Sequence, residues 1–244
     1  MRFLLATVLI LGGATLARAQ GDAEAEPPGR IYLSWGAGYG LPGADSSFTR
    51  TCGDTSRVDT LYLSFDPGRA CSTFVGMTAT LWFRSLDGDS LGPLWESPGG
   101  TNLPAGISVE FPRDSTSAHP FPWSGFGIGH HGFAKASKTA GRIRLVWAVG
   151  PGNGARVQPG RLYGLARLLL RRPPAGASGC GRPVCVEWNE GSMAYRPGDE
   201  PGVSTGSRFV GINAAGGRLG CNSAPEPAAS PRKPGKARKA STGR

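Results

Sequence analysis

After its first 20 residues, the sequence has no hydrophobic run long enough to cross a membrane. A spanning helix needs about 20 apolar residues, and the best later stretch, residues 162–170, is interrupted by Gly164 and Arg167. The sequence also has no C-x-x-C pair and no two histidines four residues apart. Without a C-x-x-C pair the sequence has no thioredoxin-like redox motif. Without two histidines four residues apart it does not have a common zinc-binding arrangement. Membrane-spanning, redox and metal-dependent functions therefore have little support in the sequence.

The first 19 residues have the three parts of a secretory signal peptide. Arg2 supplies the positive region, residues 3–11 the apolar core, and Ala17-Arg18-Ala19 a small-residue cleavage site. No cysteine follows that site directly, so a lipoprotein anchor is not expected. We expect cleavage after Ala19 and a mature protein that is secreted or periplasmic.

Five cysteines lie in the expected mature chain, and export favours their oxidation; they are Cys52, Cys71, Cys180, Cys185 and Cys221. Five thiols allow two bridges and leave one thiol over, but spacing alone does not fix the connectivity. A Cys52–Cys71 bridge is the favoured interpretation. The neighbouring pair Cys180 and Cys185 is interpreted as a structural clip at the start of a strand, because a zinc site would need two further ligands.

Charge is concentrated at the C-terminal end of the chain. The net charge is +10, and residues 231–244 contain six basic and no acidic residues. Without these six and the two arginines of the leader, 19 basic residues face 17 acidic ones. A segment of this composition cannot bury a core. It is either a solvated tail or a segment attracted to polyanions such as lipopolysaccharide, acidic cell wall or nucleic acid, without sequence-specific recognition.

These features divide the chain into four parts. We expect a signal peptide at residues 1–19, a linker at 20–29, a β-domain at 30–222 and a disordered basic tail at 223–244.

Apolar and polar residues alternate through most of the central region, which predicts half-buried strands. One face of residues 57–66 carries Leu61, Leu63 and Phe65, and one face of residues 73–84 carries Val75, Met77, Ala79, Leu81 and Phe83. The same period occurs in residues 31–35, 107–111, 142–150, 184–188 and 208–212. Glycine- and proline-containing turns separate these segments. Eight or nine short antiparallel strands predict an all-β protein with one β-sandwich.

Residues 161–172 fit two patterns. A strand would place Leu162, Gly164, Ala166, Leu168 and Leu170 inward, whereas a helix would align Leu162, Leu165, Ala166 and Leu169. Gly164 and the surrounding alternation favour the strand.

Catalytic signatures are weak. Ser124 does not have the glycine two positions earlier that a nucleophile elbow requires. A triad could be assembled from Ser124, His119 or His130, and Asp114, but a triad is defined by geometry.

Asp87 and Asp89 are explained by a turn, although an Asp-Gly-Asp turn can contribute to a calcium site if more oxygen ligands are present. The glycines of residues 125–129 are interpreted as loop or bulge positions. No cofactor is expected apart from possible calcium.

Tryptophan offers the best candidates for a binding surface, because exposed aromatic rings stack on sugars or anchor protein partners. Trp82 lies opposite the apolar face of its strand, next to Arg84, and Trp95 and Trp123 lie in predicted loops. We therefore predict binding residues among Trp82, Arg84, Trp95 and Trp123. Trp147 and Trp188 are in phase with buried positions and are predicted to be core residues.

Four segments resemble cohesin-like modules: LYLSFDPG (61–68), GMTATLWFRSLDGDSLG (76–92), RIRLVWAV (142–149) and GRLYGLARLLL (160–170). The match includes the Phe65-Asp66-Pro67 turn after an aliphatic strand. The resemblance extends to the jelly-roll sandwich that cohesins share with some carbohydrate-binding modules. It implies recognition without catalysis.

Three functions follow as hypotheses. The first is a non-catalytic exported β-sandwich that binds a protein or a glycan at the cell envelope. The second is a secreted hydrolase with an unfamiliar site. The third is a structural envelope protein whose basic tail docks on polyanions.

Overall fold

The computed structural model describes residues 29–92, 95, 102–111, 119–122, 127–150, 153–195, 203–204 and 208–214. The regular elements of these residues are twelve β-strands: β1 (Gly29–Trp35), β2 (Ser47–Phe48), β3 (Val58–Asp66), β4 (Cys71–Ser85), β5 (Ile107–Glu110), β6 (Gly127–Lys135), β7 (Ala140–Val149), β8 (Ala155–Val157), β9 (Tyr163–Arg171), β10 (Val184–Tyr195), β11 (Val203–Ser204) and β12 (Phe209–Ile212). Within these ranges no helix is long and apolar enough to span a membrane. The predicted signal peptide and basic tail lie outside the described residues and stay predictions.

The strands form two sheets. The five-stranded sheet has the order β11-β1-β3-β9-β5, and the seven-stranded sheet has the order β2-β12-β10-β4-β7-β6, with β8 paired to β4. Two short pairings, β1 with β11 and β2 with β12, are parallel, and the other pairings are antiparallel. The prediction of an all-β antiparallel sandwich is confirmed. The strand count exceeds the expected eight or nine because several strands have only two to four residues.

Residues from both sheets form one hydrophobic core. Trp188 is fully buried, as are the inward residues of β3 (Leu61, Leu63 and Phe65). On β4, Met77, Ala79, Leu81 and Phe83 face the same core. The two-residue period therefore predicted the inward face of these strands correctly, because successive side chains of a strand point to opposite faces.

One inward prediction on β4 was wrong. Val75 is half-buried, and its neighbour Phe74 is fully buried instead. Tyr195 pairs with Phe74 and Ala194 pairs with Gly76, so Val75 is an extra residue in the ladder. An inserted residue of this kind reverses the side-chain phase beyond it.

Residues 163–171 form strand β9, so the strand interpretation of this segment is confirmed. A β-bulge also shifts the alternation of inward and outward side chains along β9. Leu63 pairs with Ala166 and Ser64 with Gly164, which leaves Leu165 as the extra residue. Gly164 therefore lies beside Ser64 on the outer face, where a Cβ atom would come within 2.5 Å of the Phe121 ring. The prediction that Gly164 faces inward was wrong for this reason.

The disulfide connectivity differs from the favoured interpretation. Cys52 is bonded to Cys180, with 6.1 Å between their Cα atoms, and Cys71 is a free, half-buried thiol. Cys185 is also disulfide-bonded, so Cys180 and Cys185 do not form a clip with each other. The Cys52–Cys71 prediction failed because the nine-residue strand β3 lies between the two cysteines and separates its own ends by about 30 Å. Cys221 lies outside the described residues.

Buried polar groups surround the Cys52–Cys180 bridge. The Asp59 carboxylate accepts hydrogen bonds from Nε and Nη2 of Arg172 at 3.0 and 2.7 Å and lies 3.6 Å from Nε of Arg50. Asn213, which has a positive φ of 52°, accepts a bond from the Arg50 amide and donates one to the carbonyl of Cys180. These contacts join the end of β12 to both cysteine-bearing loops.

Candidate functional site

The outer side of the seven-stranded sheet carries a groove of about 490 Å³. It crosses four adjacent strands, β10, β4, β7 and β6. We call it the sheet groove and define it by its lining residues: Thr78, Thr80, Gly132, Phe133, Ala134, Arg142, Arg144, Glu190, Gly191 and Ser192.

The strand register explains the shape of the sheet groove. Thr80 is paired with Arg144 on one side and with Glu190 on the other, and Arg144 is paired in turn with Gly132. Short side chains of β4 thus lie between longer ones of β7 and β10. Thr78 and Ser192 fix part of the floor, since their hydroxyl oxygens are 3.0 Å apart.

The two walls carry opposite charge. Arg142 and Arg144 are exposed on β7, and no ion pair joins either of them to a residue of the described ranges. Glu190, also exposed, lies on the β10 wall. Guanidinium groups that have no carboxylate partner can donate to carboxylates or carbonyls of a ligand. The sheet groove is therefore suited to a ligand that is mainly a hydrogen-bond acceptor on the β7 side.

Trp82 lies next to the sheet groove, on the predicted face of β4. It is half-buried, and the guanidinium carbons of Arg84 and Arg142 are 5.8 and 6.0 Å from its ring centroid. Arg84 also forms an ion pair, because its Nη2 lies 2.8 Å from the buried carboxylate of Glu187. The two arginines thus flank the tryptophan ring that was predicted to be available for stacking.

The other predicted aromatic residues do not form an exposed row. Trp95 lies outside the strands, as predicted, but it is 3% exposed and packs against Phe83 with 4.7 Å between ring centroids, so the expectation of an exposed ring was wrong. Trp147 and Trp188 are buried, as predicted, and Trp35 is buried too. Trp123 lies outside the described residues. In the part of the chain that the structure describes, no cluster of tryptophan offers a platform for stacked sugar rings.

A serine and a histidine do meet, but at a buried position. Ser64 Oγ and His119 Nδ1 are 3.0 Å apart and share a hydrogen bond on the outer side of the five-stranded sheet. Ser64 is 1% exposed, and the cavity beside it, lined in part by Leu41 and Phe121, measures about 40 Å³. The described residues around this hydroxyl leave too little space for a substrate carbonyl to approach it. The other triad candidates, Ser124 and Asp114, lie outside the described residues, and His130 lies on β6, exposed.

The buried position of His119 predicts a pH effect on stability. Burial lowers the pKa of His119 below its usual value. The unfolded chain then binds the proton more tightly, so the free energy of unfolding decreases as the pH falls through about 6.5. We expect the melting temperature of the wild type to fall more steeply than that of His119→Asn when the pH is lowered from about 7.5 to about 5.

Differential scanning calorimetry measures this slope. The matched control is Gln158→Asn, because Gln158 is exposed and its side chain does not titrate. This variant should keep the wild-type slope, and equal slopes for the wild type and His119→Asn would contradict the prediction.

The predicted calcium ligands form a turn. Asp87 accepts hydrogen bonds from the Ser85 hydroxyl and from the Asp89 amide, and Asp89 forms an ion pair with Arg182 at 3.1 Å. Hydrogen bonding to Ser85 is the main cause of the lowered pKa of Asp87. Among the described residues no group of three or more histidine, cysteine or acidic side chains is arranged to hold a metal ion.

Comparison with known proteins gives only structural likenesses. No protein-family model and no curated protein matches the sequence. A cohesin module from a family 33 glycoside hydrolase of Clostridium perfringens is 8% identical, with a TM-score of 0.39, and the alignment covers 77% of this chain and 98% of that one. The corresponding values for a type I cohesin–dockerin complex from Clostridium thermocellum are 9%, 0.40, 76% and 92%. A type II cohesin domain from the cellulosome of Acetivibrio cellulolyticus gives 9%, 0.32, 77% and 96%. The resemblance to cohesin modules is confirmed as a weak one.

Sequence reasoning missed the charged walls of the sheet groove. The alternation predicted for residues 142–150 places Ile143 and Leu145 on the inner face of β7, and it therefore places Arg142 and Arg144 together on the outer face. The signal was therefore present in the alternation. Glu190 could not be assigned in this way, because the register shifts between Trp188 and Glu190.

Proposed function

We propose that this protein is a non-catalytic binding module that holds a protein partner in the sheet groove. The observation that carries the proposal is the pair of exposed arginines, Arg142 and Arg144, on a concave surface with one acidic wall. A protein partner is favoured over a glycan because the described tryptophans are buried or flanked by arginine. The buried Ser64–His119 pair gives no support to a hydrolase.

Export to the cell envelope is part of the proposal. The leader at residues 1–19 and the Cys52–Cys180 disulfide support it, since disulfides persist in oxidising compartments. Attraction of the basic tail to polyanions remains a separate hypothesis, because the tail lies outside the described residues.

Charge reversal in the sheet groove tests the binding function. The mature chain, residues 20–244, is immobilised and incubated with an envelope extract, and the retained proteins are quantified. We expect Arg142→Glu/Arg144→Glu to reduce retention of the specific partner about tenfold or more, because each lost charged hydrogen bond weakens binding substantially. Raising the ionic strength should weaken wild-type retention, since exposed charges are screened.

The matched control is Arg30→Glu/Arg156→Glu, which makes the same change of charge at two exposed arginines outside the sheet groove. This control should retain the partner as the wild type does. Equal retention by the wild type and the Arg142→Glu/Arg144→Glu variant would refute the proposal.

A further inference from the structure

Strand β6 (Gly127–Lys135) is an edge of the seven-stranded sheet. It pairs with β7 along its whole length, and within the described residues no other strand pairs with it. An edge strand presents a row of unpaired N–H and C=O groups to any strand that can align with it. At nine residues β6 is a long edge, and it contains no proline that would block further pairing.

Ile128 is a large hydrophobic side chain that is exposed to solvent on this edge strand. Its side chain is 79% exposed, whereas the only other large hydrophobic side chain exposed among the described residues, Val58, is 44% exposed. Ile128 points to the outer face of β6, where its cross-strand neighbour on β7 is the small residue Ala148. Its own sheet therefore gives this side chain little to pack against.

The sequence of β6, GIGHHGFAK, is complementary to itself in one antiparallel register. Full overlap of two copies places a two-fold axis at the central residue, His131. Large and small side chains then alternate across the junction: Ile128 faces Ala134, Gly129 faces Phe133, and His130 faces Gly132 of the second copy. Directly opposite side chains of an antiparallel pair are about 5 Å apart, so on the outer face Ile128 fits over Ala134 and His130 fits over Gly132. On the inner face the Phe111 ring of the same chain already covers Gly129.

The charges of β6 are compatible with this register. Lys135 faces Gly127 of the second copy, so no like charges meet at the ends. At the centre His131 faces His131 of the second copy. Burial, and next the charge of His130, lower the pKa of His131. Both effects favour the neutral form of the central pair.

We propose that β6 is a dimerisation edge, at which two copies of this chain join their seven-stranded sheets in the antiparallel register centred on His131. The two-fold axis is perpendicular to the joined sheet, so both sheet grooves face the same side. The dimer would be bivalent for a partner on that side. The proposal rests on β6 alone and stands or falls independently of what the sheet groove binds.

Engineered cysteines test the register directly. In a Cys71→Ser background, His131→Cys places the two new thiols opposite each other at the axis, within the Cα separation that a disulfide requires. Ile128→Cys is the matched control, because its two copies would lie six residues apart along the junction, or about 20 Å. We expect rapid formation of a covalent dimer by His131→Cys and none by Ile128→Cys, although position 128 is the more exposed.

Sedimentation velocity of the unmodified mature chain provides the second measurement. We expect twice the mass of one chain at about 100 µM and dissociation on dilution. Ile128→Lys changes only an exposed side chain, so it should leave the fold intact and shift the association to higher concentration. A wild type that is monomeric at 100 µM would overturn the proposal, as would cross-linking of Ile128→Cys at the rate of His131→Cys. A monomer that still captures a partner would leave the binding function intact.

Discussion

Removal of the Cys52–Cys180 disulfide is expected to lower the free energy of unfolding by about 2–5 kcal/mol. The two cysteines are separated by 128 positions, and the chain-entropy model gives about 5 kcal/mol for a loop of this size. The bridge joins the loop that precedes β3 to the loop that precedes β10, and β3 and β10 belong to different sheets. Loss of the bridge therefore raises the conformational entropy of the unfolded chain over most of the domain.

Urea unfolding of Cys52→Ala/Cys180→Ala measures this effect without adding a free thiol. Cys71→Ala is the matched control, because Cys71 is already free and only half-buried. It should change the unfolding free energy by less than about 1 kcal/mol. A double variant that unfolds at the same urea concentration as Cys71→Ala would show that the bridge has little effect on stability.

The second large effect is expected at Asp59. The side chains of Arg50, Asp59 and Arg172 are only 1%, 9% and 15% exposed, and Asp59 is the acidic member of this cluster. Burial is the main reason that the pKa of Arg50 is lowered, and the nearby carboxylate opposes that shift. Asp59→Asn keeps the shape and removes the negative charge. We expect a loss of about 3–5 kcal/mol, the usual cost of leaving a buried charge without its partner.

Asp54→Asn is the control for Asp59→Asn in the same region of the chain. Asp54 pairs with Arg57 at 3.1 Å, but both side chains are largely exposed. Exposed ion pairs contribute little to stability, so this variant should unfold at nearly the wild-type urea concentration. Equal midpoints for the two variants would contradict the importance of the buried cluster.

The sequence predicted the strands well because their signal is local. A two-residue period requires only neighbouring side chains, and it identified the inward faces of β3, β7 and β10. The errors at Val75 and Gly164 arose at inserted residues, each of which depends on the partner strand as well as on its own sequence. A bulge of this kind leaves no trace in the alternation of one segment.

Long-range features could not be predicted. Cys52 meets Cys180, and Asp59 meets Arg172, across more than 100 residues of chain, and no periodicity encodes either contact. The proposed binding surface, the sheet groove, follows only in part from the aromatic residues of the sequence. Trp82 is at the correct face, but aromatic character alone did not distinguish it from Trp95, which fills the core. The proposed surface therefore rests on the charged residues of the sheet groove and not on tryptophans.

The Cys52–Cys180 bond also closes a covalent ring. Strands β3 to β9 lie between its two ends, so seven strands and every loop between them are inside the ring. A protease that cuts one of these loops converts the ring to a linear chain but releases no fragment. The nicked molecule keeps all its pieces attached while the bond stays oxidised, so a single cut cannot separate β7 from β10 and the walls of the sheet groove stay tethered to each other.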